Sequence, residues 1–274
     1  MLFINEKYDK VWRVGKMDLY DAIYVRKSIR NYSKELVGEK LKQQILEFAA
    51  NLFPLNENKI CYKIVERGQL KKMPSLFCLQ APYYLTIYSE FYENYEVNAG
   101  YVLQQIALYM VTKGLGCCFI GEIVSLETIP DMIPVLSLAF GFAKTKNIYR
   151  KEEKADRLSM KNLCTIKEET TPEILKVLQA ARLAPSSFNS QPWRFVVYQN
   201  RVHIFCRIKK GIWNREEQGD KKIGRMDKIN MGVMLSNFLL VSEQLWLETE
   251  LVRLENIAEQ EVKNNQYFLS VKFL

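Results

Sequence analysis

The chain has one histidine, His203, among its 274 residues. That excludes a metal centre built from two or more imidazoles, and it leaves any Ser-His-Asp hydrolase site dependent on a single residue. His203 lies in the strand-like run Val202-His203-Ile204-Phe205-Cys206, where a structural histidine is expected. Cys-x-x-Cys is missing too, and the six cysteines (Cys61, Cys78, Cys117, Cys118, Cys164, Cys206) have no metal-ligand spacing. Buried free thiols are expected, because the adjacent pair Cys117-Cys118 could close only a strained disulfide. No apolar run reaches the roughly 18 residues of a membrane helix. The opening residues Met1-Leu2-Phe3-Ile4-Asn5-Glu6-Lys7 mix charge with apolar side chains and lack a signal-peptide core, so a cytoplasmic location is expected. Segregated charge is also lacking. The formal net charge is +8, but basic and acidic residues interleave, as in Arg150-Lys151-Glu152-Glu153-Lys154-Ala155-Asp156-Arg157. Such a run reads as a solvated surface and not as a nucleic-acid stripe, although a modest positive excess suits an anionic cofactor.

What is present is concentrated in one loop, Ala184-Pro185-Ser186-Ser187-Phe188-Asn189-Ser190-Gln191-Pro192-Trp193. It follows an amphipathic helical stretch and runs into the strand-like 195–198. Short hydroxyls, amides and backbone N–H groups crowd one junction between two prolines of fixed φ. A bound polar ligand would use that composition; a turn with capping residues would also produce it.

The chain also repeats itself. A shift of 131 residues aligns Ala49-Ala50-Asn51-Leu52-Phe53-Pro54 with Ala180-Ala181-Arg182-Leu183-Ala184-Pro185. A shift of 132 aligns Asn98-Ala99-Gly100 with Asn230-Met231-Gly232. The period is far too long for a solenoid and points to two copies of one half-domain. In the first half, 39–51 is an amphipathic helix, 60–65 and 83–88 are strands, and 97–113 is a long helix ended by Gly114. The second half places 172–183, 195–198, 202–208, 229–247 and 267–273 in the same parts, after 135–142 closes the first with a strand. Both long helices are apolar nearly all round, so each should be buried on several sides and pack on the other. Residues 1–16 form an extension, 17–160 the first half and 161–274 the second, with a polar boundary over 151–171.

The Pro185 loop resembles the Ala-Pro-Ser-Ser-x-Asn-x-Gln-Pro-Trp loop of the FMN-dependent nitroreductases. Upstream, Arg26-Lys27-Ser28-Ile29-Arg30 is similar to that family's N-terminal Arg-x-Ser-x-Arg/Lys motif. The resemblance runs from about Met17 onward and implies a dimer fused into one polypeptide. The fold implied is α+β, nitroreductase-like: two tandem half-domains, each a mostly antiparallel sheet flanked by helices, packed as a pseudodimer. It further implies that Arg26 and Ser28 hold an FMN phosphate, that Arg30 lies near the flavin pyrimidine edge, and that Pro185, Ser186, Ser187 and Asn189 reach the cofactor from the other half. Gln191 and Trp193 would fix the loop. Backbone N–H groups at Ile120 and Gly121 would pass the flavin, though a glycine-bounded helix-to-loop transition explains that segment equally. Arg157 stays open: it is the relic of a second basic motif, a ligand of the first site, or a surface partner of Glu152 or Glu153. The activity implied is transfer of hydride from NAD(P)H through FMN to a small flat acceptor such as a nitroaromatic or quinone, with no catalytic side chain and no metal. The alternative is a protein of the same fold that binds flavin without efficient turnover. Neither nucleic acid nor membrane is an expected partner, and further dimerisation of the fused chain is open.

Overall fold

The computed structural model describes residues 17–70, 79–121, 129–208, 223–259 and 262–274. The extension 1–16, Cys78 and Glu122 lie outside them. Helix α1 (Leu19–Val25) starts on Asp18, whose side chain accepts the Asp21 N–H, and α2 (Glu39–Ala50) buries Ile45 and Ala49. Strands β1 (Ile60–Glu66) and β2 (Tyr83–Ser89) lead to the long helix α3 (Tyr95–Thr112), followed by β3 (Gly116–Ile120) and β4 (Ile133–Gly141). A single helical turn, α4 (Met160–Leu163), precedes β5 (Cys164–Ile166) and α5 (Pro172–Arg182). Strands β6 (Trp193–Val197) and β7 (Arg201–Arg207) lead to the second long helix α6 (Arg225–Gln244), then β8 (Thr249–Val252), α7 (Glu255–Ala258) and β9 (Asn265–Phe273).

Two sheets result. The first, ordered β1-β2-β4-β3, is antiparallel throughout. The second, ordered β5-β6-β7-β9-β8, is antiparallel except for β5, which runs parallel to β6. The fold is α+β, as expected, with mostly antiparallel sheets flanked by helices. Three strands escaped the sequence reading: β3, β5 and β8. The polar 151–171 stretch is also no bare linker, since it contains α4 and β5. All five described cysteines are free, and His203 is a buried strand residue whose Nδ1 lies 2.6 Å from Ser270 Oγ.

Helices α3 and α6 pack along each other, as their apolar circumferences require. Leu103, Ile106, Leu108, Leu235 and Phe238 are fully buried, each contributing roughly 1.5–3 kcal/mol on leaving water. Contact is closest at two glycines. A Cβ on Gly100 would overlap the Ile229 carbonyl, and one on Gly232 would overlap the Val97 carbonyl. The 132-residue shift relates the two contacts, so they are reciprocal. The same shift relates Glu96 to Lys228, which form an ion pair at 3.6 Å between the helices. Nearby, Gln104 Nε2 donates to Asn237 Oδ1 at 2.8 Å, and Asn237 Nδ2 donates to the Ala180 carbonyl at 2.9 Å.

The helix ends differ. After α3, Gly114 takes φ +76 and Leu115 N–H returns to the Met110 carbonyl at 3.0 Å. After α6, the same bond runs from Leu247 N–H to the Ser242 carbonyl at 2.9 Å, but the left-handed residue is Trp246 at φ 57, with an exposed side chain. A left-handed helix terminus favours glycine, and this tryptophan gains little from packing. Relief of a left-handed penalty of roughly 1–2 kcal/mol exceeds glycine's entropic cost, so Trp246→Gly is expected to stabilise the chain by about 0.5–1 kcal/mol, read as a higher denaturant midpoint at unchanged m-value. A lower midpoint would show that the indole packs more than its exposure indicates.

Candidate functional site

The site begins where α1 stops. Arg26 is the C-cap of α1, already extended at φ −60 and ψ 131, and from there the chain runs beside β3. Ser28 pairs with Cys117 in parallel, and Ile29 N–H donates to the Cys117 carbonyl at 3.0 Å. Extended backbone sends alternate side chains to opposite faces, so Arg26, Ser28 and Arg30 share one side. Ile29 turns the other way and presses on β3, where a Cβ on Gly116 would lie 2.7 Å from Ile29 Cβ. That close approach is the reason for glycine at this position. Motif and β3 advance together, carrying Arg30 toward the Ile120–Gly121 end. Ile120 is half-buried and Gly121 exposed, with open space where a Cβ would stand.

Arg26 is 3 % exposed, and its Nη1 is buried without a hydrogen-bond partner. An unmet buried donor on a guanidinium is costly and invites an anion. Burial lowers its pKa first, and the neighbouring Arg30 lowers it further. Cys117 lies beside it but supplies no negative charge, because burial pushes that thiol up to about 12.

More arginines gather at the same place. Arg150 donates from Nε to the Arg26 carbonyl at 2.6 Å and from Nη2 to the Ile23 carbonyl at 3.2 Å, closing the C-terminus of α1. Arg157 does the same for α5, with Nε 3.0 Å from the Ala184 carbonyl and Nη2 3.3 Å from that of Leu183. Arg182 Nε donates to the Leu158 carbonyl at 2.6 Å. Burial pushes Arg150 down to about 9, helped by Arg26, Arg157 and Arg182. Arg157 falls to about 10, by burial and then by Arg26. A guanidinium keeps its proton at neutral pH, so these shifts reflect charges held away from water first and crowded by like charges second.

The Pro185 loop joins the cluster through Arg157, whose Nη1 donates to Asn189 Oδ1 at 3.0 Å. Asn189 Nδ2 reaches the Asp156 carbonyl and carboxylate, both at 3.1 Å. Ser187 N–H donates to Asn230 Oδ1 on α6 at 3.0 Å. Ser186 Oγ accepts the Gln191 N–H at 2.9 Å, and Gln191 Oε1 accepts the Leu158 N–H at 2.7 Å. Gln191 fixes the loop in the way expected of it, and Trp193 is fully buried beneath. Half-buried Pro185, Ser186 and Ser187 are held at the surface of this frame. Asn189 engages Arg157 and Asp156.

The reciprocal loop keeps one of these bonds but has Leu55 and Asn56 where Ser186 and Ser187 stand. Leu55 N–H donates to Asn98 Oδ1 at 2.9 Å, which repeats the Ser187–Asn230 bond. Arg157, the counterpart of Arg26, is turned to the Pro185 loop instead. Its charge is thus added to the Pro185 loop.

A family model described as "Putative TM nitroreductase" matches residues 18–242. The chain belongs to this nitroreductase family. Among solved structures, a "putative nitroreductase" from Thermotoga maritima is 21 % identical, with 95 % of each chain covered and a TM-score of 0.61. An FMN-dependent nitroreductase from Clostridium difficile is 17 % identical over 53 % of this chain and 95 % of its own, with a TM-score of 0.43. No curated protein matches. Among the described residues, no helix is long and apolar enough to cross a membrane, and no group of three or more His, Cys, Asp or Glu could hold a metal ion.

In this nitroreductase-family chain, Arg150 and Arg182 belong to the cluster, and sequence reasoning missed both. Arg150 was hidden in the interleaved charge run, which reads as solvated surface. The structure corrects that reading for Arg150 and Arg157, whose guanidiniums face backbone carbonyls. The signal was the 131-residue shift, which sets Arg157 on Arg26 and so marks the run's last arginine as more than a surface charge.

Proposed function

We propose that the chain is an FMN-dependent oxidoreductase that draws hydride from NADH or NADPH and reduces a small, flat acceptor. The observation that carries this is the buried Arg26 guanidinium, whose Nη1 has no hydrogen-bond partner, with Arg150 on its carbonyl and Arg157 within electrostatic reach. Arg26, Ser28 and Arg157 are the residues suited to the FMN phosphate, with Arg150 and Arg182 raising the local potential. Arg30 sets positive charge toward the pyrimidine edge, where reduction adds negative charge. Pro185, Ser186, Ser187 and Asn189 form the opposing wall, and the Ile120–Gly121 backbone supplies N–H groups. Bound FMN supplies the two-electron chemistry. The side chains bind, orient and neutralise; none is asked to move a proton. We take the two halves, meeting near residue 160, as fused copies of one ancestral subunit.

The purified chain should carry a yellow flavin that NADH or NADPH bleaches without oxygen and that quinone restores. A flavin that binds but resists both nicotinamides would favour the flavin-holding alternative. A colourless chain that takes up no FMN contradicts the proposal.

A further inference from the structure

The second basic motif leaves a cation that the flavin site does not use. The 131-residue shift sets Arg157 on Arg26 and Lys161 on Arg30. Arg157 turns to the Pro185 loop, whereas Lys161 lines a groove on the second sheet. Alternation along β6 decides which face carries the groove. Trp193, Phe195 and Val197 belong to the main core, so Arg194 and Val196 point the other way. Cross-strand partners share a face. Thr165 lies opposite Val196, Phe205 opposite Arg194, and Asn265 opposite Arg207, two residues along β7 from Phe205. With Lys161, the side chains of Thr165, Arg194, Val196, Phe205 and Asn265 line a cavity of about 240 Å³. That volume lies below the roughly 300–1,000 Å³ of sites for drug-sized ligands and suits a single ring. None of these residues belongs to those proposed for FMN.

Lys161 and Arg194 supply the charge of the groove, and no carboxylate stands among its described lining residues. Arg194 uses only Nη1 within the protein, donating to the Gln191 carbonyl at 3.0 Å and to that of Trp193 at 2.6 Å. Its Nε and Nη2 remain as donors, in the fork geometry that matches a carboxylate. Burial lowers the Arg194 pKa first and Arg207 lowers it next, the direction of a cation short of anionic neighbours. Val196 and Phe205 add apolar surface. On β9, Asn265 Oδ1 is buried without a hydrogen-bond partner, while Nδ2 of the same residue donates to the Lys263 carbonyl at 2.9 Å. A buried acceptor left unmet is costly and calls for an N–H or O–H. We infer that this groove binds a small carboxylic acid whose apolar body carries one N–H or O–H donor. The carboxylate meets Lys161 and Arg194, the body rests on Val196 and Phe205, and the donor reaches Asn265 Oδ1. The site does not depend on the flavin or on the function proposed for it.

The test titrates the purified chain calorimetrically with two saturated acids, cyclohexanecarboxylate and its 4-hydroxy derivative, whose rings do not stack on a flavin. Both should bind, and the hydroxyl should tighten binding about fivefold, the size of one neutral hydrogen bond. Arg194 also holds the root of the Pro185 loop, so the exposed Lys161 is the residue that isolates the groove. Lys161→Met should weaken both acids about tenfold or more through loss of a charge-assisted contact. Asn265→Leu should reduce the hydroxy acid to the affinity of its parent and leave the parent unchanged. Saturating FMN should change neither acid's affinity. A Lys161→Met chain that binds both acids as the wild type does overturns the inference, as does the absence of saturable binding. Equal affinity of the wild type for the two acids overturns the assignment of Asn265 and the ligand class with it. Competition between either acid and FMN also overturns the inference, because the acid would then occupy the flavin site.

Discussion

An Arg26→Met chain is expected to bind FMN roughly 10- to 150-fold more weakly than the wild type while melting no lower in its apo form. Hydrogen bonds to charged groups contribute about 1.5–3 kcal/mol, and each 1.4 kcal/mol is tenfold in affinity. The second half of the expectation follows from the environment. Arg26 is buried, its Nη1 is unpartnered, and burial is the leading cause of its lowered pKa. A methionine of similar length removes an ill-placed charge from the apo protein and keeps most of the packing. FMN should therefore raise the melting temperature of the wild type far more than that of the variant. Equal FMN affinity in both chains would remove Arg26 from the site. A strongly destabilised apo variant would assign it a structural role.

Gly232→Ala should be strongly destabilising, costing about 3 kcal/mol. The added Cβ meets backbone atoms, the carbonyl of Val97 and the amide of Tyr101, and backbone cannot rotate aside. Relief requires α6 to move off α3 and unpack fully buried Leu103, Ile106, Leu235 and Phe238. At roughly 2–4 °C per kcal/mol, the melting temperature should fall by about 10 °C. Gly68→Ala, with nothing within 4 Å of the new Cβ, is the control and should change little. FMN affinity should fall along with stability in Gly232→Ala, because Asn230, two residues away on α6, holds the Ser187 N–H. A stable Gly232→Ala chain would mean that the helices do not cross as closely as described.

The parts legible in the sequence were those with strong local patterns. Helices α3 and α6 carry apolar residues on every side, and only mutual burial satisfies that. The Pro185 loop and the Arg26 motif carried their chemistry in residue type. The short strands were not legible. β3, Gly-Cys-Cys-Phe-Ile, is held by its pairing with β4 and by Ile29 packed over Gly116, neither of which is local. β5 and β8 are short edge strands stabilised by neighbours distant in sequence. The burial of Arg150 escaped for a similar reason: its carbonyl partners at Ile23 and Arg26 lie more than 120 residues away. The ion pair of Glu96 with Lys228 was visible only as two charges at one repeat position. Its meaning appeared once α3 and α6 were seen to cross there. Two copies of the first half would set Glu96 against Glu96, so this pair favours the fused arrangement over pairing of like halves.

The most direct measurement is the FMN stoichiometry of the whole chain. Arg157, the counterpart of Arg26, is bound to the Pro185 loop, and the reciprocal loop has neither serine and carries Glu57. Titration of apoprotein, with released flavin quantified against protein, should saturate at one FMN per chain, and Arg26→Met should weaken that single site. Saturation at two, or no saturable binding, would contradict a single site assembled from Arg26 and the Pro185 loop.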